Sequence, residues 1–159
     1  KTKPVTMPSE VYITVAPSHT KGHNTELIVS PEYLLRDEEI LIIDDSPTER
    51  VLLTQILGQG RFEIFTAENG EEGIMRTKDI QPDLILMDVV MPGINGFQAT
   101  RKLSRDAATK NIPIIMCTTK SQQTDKIWGL RQGAFDYITK PVDGQLLLAK
   151  IAALGAVDD

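Results

Sequence analysis

The residues equipped for chemistry recur at the ends of short apolar runs. Asp44 and Asp45 follow Ile40-Leu41-Ile42-Ile43, and Asp88 follows Leu84-Ile85-Leu86-Met87. Thr118 and Thr119 follow Ile114-Ile115-Met116-Cys117, and Lys140 follows Tyr137-Ile138-Thr139. Adjacent carboxylates repel one another, and crowding raises a pKa unless a cation offsets the charge. Three carboxylates on one rim form an oxygen-rich pocket. Such a pocket suits Mg2+, which keeps open water positions, better than zinc, which favours His and Cys ligands. A magnesium ion beside a carboxylate also suits phosphoryl transfer, with a carboxylate oxygen attacking in line. Lys140 offers a fixed positive charge to one phosphoryl oxygen, and the Thr118 hydroxyl offers a donor to another.

A plainer reading exists for each residue alone. An Asp after a strand is often only a helix cap. Here Ser46-Pro47-Thr48-Glu49 reads as a capping box with proline at the first helical position, so Ser46 already has that task. Capping leaves the two acids in front of it unexplained. Polar groups delivered to one rim by four of five strands favour a functional site.

The elements that must position these groups alternate. Ile40–Ile43 is continuously apolar, as in strands buried on both faces. The helix behind it carries Leu53, Ile56 and Leu57 on one side and stops at Gly58 and Gly60. The same rhythm predicts strands over 62–66, 84–87, 112–118 and 135–139. Helices are predicted over 70–78, 96–105 and 122–131. A closing helix over 146–154 carries Leu147, Ile151 and Leu154 on one stripe. Strands separated by helices imply a five-stranded parallel sheet with right-handed crossovers and helices on both faces, a flavodoxin-like doubly wound (βα)5 fold of the α/β class. In such sheets the ligand site lies beyond the carboxyl ends of the strands, at the switch point.

The domain organisation expected is an N-terminal extension over 1–38, a main domain over 39–154 and a short tail over 155–159. In the extension, Pro4, Pro8, Pro17 and Pro31 interrupt the chain. Strands are expected at Val11–Val15 and Glu26–Val29, and a short helix from Ser30-Pro31 to Leu35. The extension lacks the apolar content for its own core, so it is expected to pack on the main domain, bind a partner or stay mobile. His19 and His23 are four apart, but with no acid nearby they are not read as a metal site.

Bulk properties exclude several classes. The net charge of −5 gives no electrostatic footprint for nucleic acid and no polybasic lure for a membrane. No apolar run approaches a membrane span, and no membrane insertion is expected. The single cysteine, Cys117, lies in an apolar run and reads as a buried small hydrophobe, which fits a reducing cytoplasm. Trp128 reads as an amphipathic contact on the fourth helix of the main domain.

Taken together, Ile42-Ile43-Asp44-Asp45-Ser46, the run Leu86-Met87-Asp88-Val89-Val90-Met91-Pro92-Gly93-Ile94-Asn95-Gly96, Thr118, and Tyr137-Ile138-Thr139-Lys140-Pro141 resemble the response-regulator receiver family, the CheY-like domains. The resemblance covers about 39–154. It implies that Asp88 is phosphorylated by a histidine kinase. It implies that Asp45 and Asp88 ligate Mg2+ directly, with Asp44 helping directly or through water and the Val90 backbone carbonyl as a further ligand. Thr118 and Lys140 would contact the phosphoryl group, and Lys140-Pro141 would be cis. Thr118 and Tyr137 would form a switch that remodels a protein-binding surface on the fourth helix, fifth strand and fifth helix. Val90 and Lys120 stand where the family tunes the phosphorylated lifetime. Asp-Asp-Ser-Pro-Thr-Glu, Asn-Gly-Phe-Gln-Ala-Thr-Arg and Lys-Pro-Val-Asp further resemble the PilH-type regulators of twitching motility.

The function expected is therefore a cytoplasmic phospho-accepting receiver in a two-component relay, not an enzyme, with protein partners and no nucleic acid. An Mg2+-dependent aspartyl-phosphate phosphatase is a second reading. Those enzymes place a second acid two residues after the nucleophile, and neither Ser46 nor Pro47 supplies one. A third reading, an interaction module independent of phosphorylation, would suit a degenerate site, and nothing here looks degenerate.

Overall fold

The computed structural model describes residues 11–15, 25–29, 37–119 and 123–157. The chain divides into two compact units, residues 1–37 and 38–159. In the first unit, β1 (Val11–Val15) and β2 (Thr25–Val29) pair antiparallel, with Val11 opposite Val29 and Val15 opposite Thr25. The helix expected from Ser30 to Leu35, and His19, His23 and Lys120, lie outside the described residues.

The second unit runs β3 (Glu38–Ile43), α1 (Pro47–Leu57), β4 (Phe62–Ala67), α2 (Gly70–Ile80), β5 (Leu84–Asp88), α3 (Gly96–Arg105), β6 (Ile114–Thr119), α4 (Gln123–Arg131), β7 (Asp136–Lys140), α5 (Gly144–Val157). Its five strands are parallel, in the order β4-β3-β5-β6-β7. The chain steps from β3 outward to β4, then crosses back over β3 to β5. That reversal makes the switch point, at the carboxyl ends of β3 and β5.

Strand alternation divides the core into two layers. Ile40 and Ile42 of β3, Leu84 and Leu86 of β5, Ile115 and Cys117 of β6 and Ile138 of β7 pack with Leu53 and Leu57 of α1 and Leu147 and Ile151 of α5. The alternate residues Leu41, Ile43, Ile85, Met87, Ile114 and Met116 pack with Ala99 and Leu103 of α3. Burying each such Leu or Ile contributes about 1.5–3 kcal/mol, which explains the unbroken apolar runs Ile40–Ile43, Leu84–Met87 and Ile114–Cys117. Gly73 brings α2 onto the second layer, since a Cβ there would stand 2.5 Å from Ile43 Cδ1.

Several element ends differ from the sequence expectation for identifiable reasons. β6 starts at Ile114 rather than at Ile112, because Pro113 has no N–H and the Ile112 N–H turns back to Thr109 O at 3.0 Å. β7 runs from Asp136 to Lys140, since Lys140 still pairs with Thr119. α2 continues past Lys78 to Ile80 and ends on Gln81, in the left-handed region at φ 53°. α5 begins at Gly144, where Asp143 Oδ1 accepts from Gln145 and Leu146 N–H at 3.0 and 3.3 Å, and it runs on to Val157. Among the described residues no helix is long and apolar enough to cross a membrane.

Candidate functional site

The carboxyl ends of β3, β5 and β7 bring Asp44, Asp45, Asp88 and Lys140 together. One carboxylate oxygen from each of Asp44, Asp45 and Asp88 lies within 4.8 Å of the other two. Lys140 Nζ donates to Asp88 Oδ1 at 2.8 Å and to Asp44 Oδ2 at 3.3 Å. Asp44 and Asp88 are buried, and Asp45 is exposed.

Each acid is held differently. Asp44 Oδ1 accepts the Ser46 N–H at 2.9 Å, and its backbone carbonyl accepts from Arg50 Nη1 at 2.8 Å. The capping box expected at Ser46 is therefore only half formed. Ser46 Oγ accepts from Glu49 N–H at 3.3 Å, but the Ser46 N–H that Glu49 should receive is already taken by Asp44. Glu49 Oε2 is left buried without a partner among the described residues. An Asp two residues ahead makes the shorter local turn and wins that donor. Ser46 is the cap, as expected, and Asp44 has a separate structural task in the turn before it.

Asp88 Oδ1 accepts from its neighbour's Val89 N–H at 2.9 Å as well as from Lys140, while Oδ2 accepts from no described residue. Burial pushes the Asp88 carboxyl up to about 6, helped by the Asp44 charge and opposed by Lys140 and the Val89 N–H. Burial works against the charge on Lys140, but the hydrogen bond and charge of Asp88, with Asp44 behind it, outweigh it and hold the ammonium above its ordinary value. Burial likewise pushes the Cys117 thiol up to about 12, so this cysteine is the inert core residue expected of it.

Three carboxylates are served by one ammonium, so the pocket carries excess negative charge. An all-oxygen donor set with one exposed member suits Mg2+, which retains waters. The residues present fit that ion.

Thr118 and Tyr137 follow the other strand alternation. Asp88 and Lys140 continue the alternation of Leu86 and Ile138, toward α1 and α5. Thr118 continues that of Met116, and Tyr137 pairs with Met116 and packs on the second layer. Thr118 is fully buried, and its Oγ1 has no partner among the described residues. Such an orphaned hydroxyl costs about 1–3 kcal/mol unless a ligand satisfies it. Val90 is 72% exposed at the start of the loop after β5, and Lys140-Pro141 is cis. Trp128 is about half exposed on α4.

A model of the response regulator receiver domain matches residues 40–152. The chain belongs to the response-regulator receiver family. Protein PilH of Pseudomonas aeruginosa is 56% identical over 115 residues, covering 72% of this chain and 95% of PilH. The phosphate regulon regulator PhoB of the same organism is 42% identical over 115 residues, and the chain spans only 50% of it. A solved CheX-CheY-BeF3-Mg complex from Borrelia burgdorferi superposes with a TM-score of 0.69 at 28% identity, covering 74% of this chain and 88% of that one. Receiver domains bind Mg2+ at an acidic pocket, accept phosphate from histidine kinases and bind downstream partners.

Sequence reasoning missed Arg50. Its side chain is 16% exposed, and it ties the Asp44 carbonyl to α1 while pairing with Glu68 at 3.5 Å. The only available signal was a cation six residues after the first acid, which is uninformative without the helix direction.

Proposed function

We propose that this receiver takes a phosphoryl group on Asp88 from a histidine kinase and answers by changing a protein-binding surface, without turning over an external substrate. The observation that carries this reading is the Asp88 carboxylate itself. One oxygen is held by Lys140 and Val89, the other accepts from no described residue, and the carboxylate clusters with those of Asp44 and Asp45.

In the step proposed, the unengaged Asp88 oxygen forms a bond to phosphorus as the bond from phosphorus to the donor imidazole nitrogen breaks. The nitrogen keeps the electron pair of the broken bond. Mg2+, when bound, would supply charge neutralisation and in-line orientation. Asp44 and Asp45, with Asp88 and the Val90 carbonyl, would hold it. Lys140 pairs with one phosphoryl oxygen as the negative charge grows to about −1.5 to −2. The Thr118 hydroxyl, orphaned in the unphosphorylated protein, gains a charge-assisted partner by turning toward the new group.

That turn vacates space on the sheet face shared with Tyr137, a diagonal neighbour of Thr118 across β6 and β7. The ring, half-buried and lying 5.2 Å from Lys126 Nζ and 5.6 Å from Lys150 Nζ, then rotates inward. The face built by α4, β7 and α5 changes shape, a two-state element biased by a local charge event. The partner would be a protein of the cytoplasm, and the likeness to PilH supports a role in pilus or twitching-motility signalling. Incubation with acetyl phosphate and Mg2+, followed by intact mass, should add one phosphoryl group to the wild type and none to Asp88→Asn. Steady turnover of small phosphoesters would instead support the phosphatase reading.

A further inference from the structure

We infer that Glu71, at the start of α2, is a positioning residue for the metal site, acting through the loop between β5 and α3. The inference rests on the reading of Asp44, Asp45 and Asp88 as a Mg2+ site.

The loop over 89–95 carries Val90, whose backbone carbonyl is the proposed fourth ligand. Its two ends are secured locally. Gly96 N–H donates to Val89 O at 2.7 Å and closes the base. Asn95 and Gln98 exchange hydrogen bonds of 2.8 and 2.9 Å in a complete capping box and fix the far end to α3. The crown between them is exposed at Pro92 and Gly93, with Gly93 at φ 78°, a conformation that only glycine holds cheaply.

One side chain from outside the loop grips that crown. Glu71 Oε1 accepts the Ile94 N–H at 3.2 Å. Both its oxygens press on the neighbouring residue, for a Cβ at Gly93 would stand 2.7 Å from Oε1 and 3.0 Å from Oε2. The preceding residue packs the same way, since a Cβ at Gly70 would stand 2.6 Å from Ile94 Cγ1. Glu72 faces elsewhere, its Oε2 taking the Glu68 N–H at 3.4 Å. Among the described residues no other side chain outside the loop hydrogen-bonds to residues 90–94. Glu71 sits in the first turn of α2, where a carboxylate is favoured, so the grip is anchored on a rigid element. Freeing the crown lets the Val90 carbonyl wander and weakens the site without touching any of its three acids.

Two variants separate this role from the helix-terminus charge. Glu71→Ala removes the acceptor and the charge, whereas Glu71→Gln removes only the charge. Magnesium chloride titrated by calorimetry should bind Glu71→Ala about three- to fivefold more weakly than Glu71→Gln. Phosphorylation by acetyl phosphate should show the same shift in half-saturating Mg2+, with an unchanged plateau rate. Thermal melts of both variants confirm that the fold is intact. Equal affinities for the two variants, or a lowered plateau in Glu71→Ala, would overturn the inference. A wild type that binds no Mg2+, like Asp45→Asn, would instead sink the metal-site reading beneath it.

Discussion

Lys140 Nζ stands 2.8 Å from Asp88 Oδ1, across 52 residues of chain, and still leaves the Asp88 carboxyl pushed up to about 6. One ammonium shared between two buried acids does not cover the cost of ionising both. The folded state therefore binds the Asp88 proton more tightly than the unfolded chain, whose value is 3.8. Stability from this group is complete below pH 3.8 and is lost as pH rises through 6. Asp88→Asn should accordingly be more stable than wild type by about 1–3 kcal/mol at pH 7 without Mg2+, with the difference closing near pH 4. Urea unfolding of both proteins at the two pH values measures it, and a variant less stable at pH 7 contradicts the charge balance described.

The same geometry makes Lys140 and a divalent cation competitors for two carboxylates. Removing the ammonium deepens the negative potential at the pocket, so Lys140→Met should bind Mg2+ several-fold more tightly. It should also accept phosphate from a small donor more slowly, because one phosphoryl oxygen loses its partner. Calorimetry and intact-mass time courses read the two effects. Weaker Mg2+ binding in Lys140→Met would mean that the lysine organises the acids rather than competing for them.

The strands and their polar last residues were legible because fully buried strands need unbroken apolar runs, and β3 and β5 display them. Asp44 and Asp88 stood out because each is the first polar residue after an unbroken apolar run, and Lys140 because it is the cation that ends β7. The alternation that places Asp88 and Lys140 on the α1/α5 side, and Thr118 and Tyr137 on the other, needs the register of β6 against β7. Spacing along the chain does not contain it. Glu71 and Arg50 were invisible for a related reason, since each acts through a backbone group of another segment. Any surface acid or arginine on a helix has the same sequence signature. The half-formed box at Ser46 shows a local competition that motif matching cannot settle, with two acceptors in reach of one N–H.

Gly96 carries the closest backbone approach in the site. A Cβ there would overlap the Asp88 carbonyl oxygen, and the Gly96 N–H is already committed to Val89 O at 2.7 Å, so the two segments have no room to part. Gly96→Ala should destabilise by roughly 3 kcal/mol or more and lower phosphorylation in whatever fraction still folds. Gly155→Ala in α5, where a Cβ meets nothing within 4 Å, should instead stabilise by about 0.5–1 kcal/mol. Similar unfolding midpoints for the two variants would contradict the close approach at Gly96.

Thr118 separates the chemical step from the response to it. Its side chain is fully buried with Oγ1 unpartnered, so Thr118→Val exchanges an unsatisfied hydroxyl for a methyl of the same shape. Such a replacement is near neutral or stabilising, by up to about 1 kcal/mol in the unphosphorylated protein. Thr118 neither holds Asp88 nor belongs to the acidic pocket in the unphosphorylated protein, so phosphate uptake should persist, although it is expected to slow. The response should be lost, because nothing then draws residue 118 away from the face it shares with Tyr137. Side-chain NMR of Tyr137 on adding beryllofluoride and Mg2+ distinguishes the outcomes. Wild type should show large ring shifts and Thr118→Val little change. A Tyr137 response that survives in Thr118→Val would mean the ring is coupled to Asp88 by another route, and a loss of stability above about 1.5 kcal/mol would mean that Oγ1 has a partner after all.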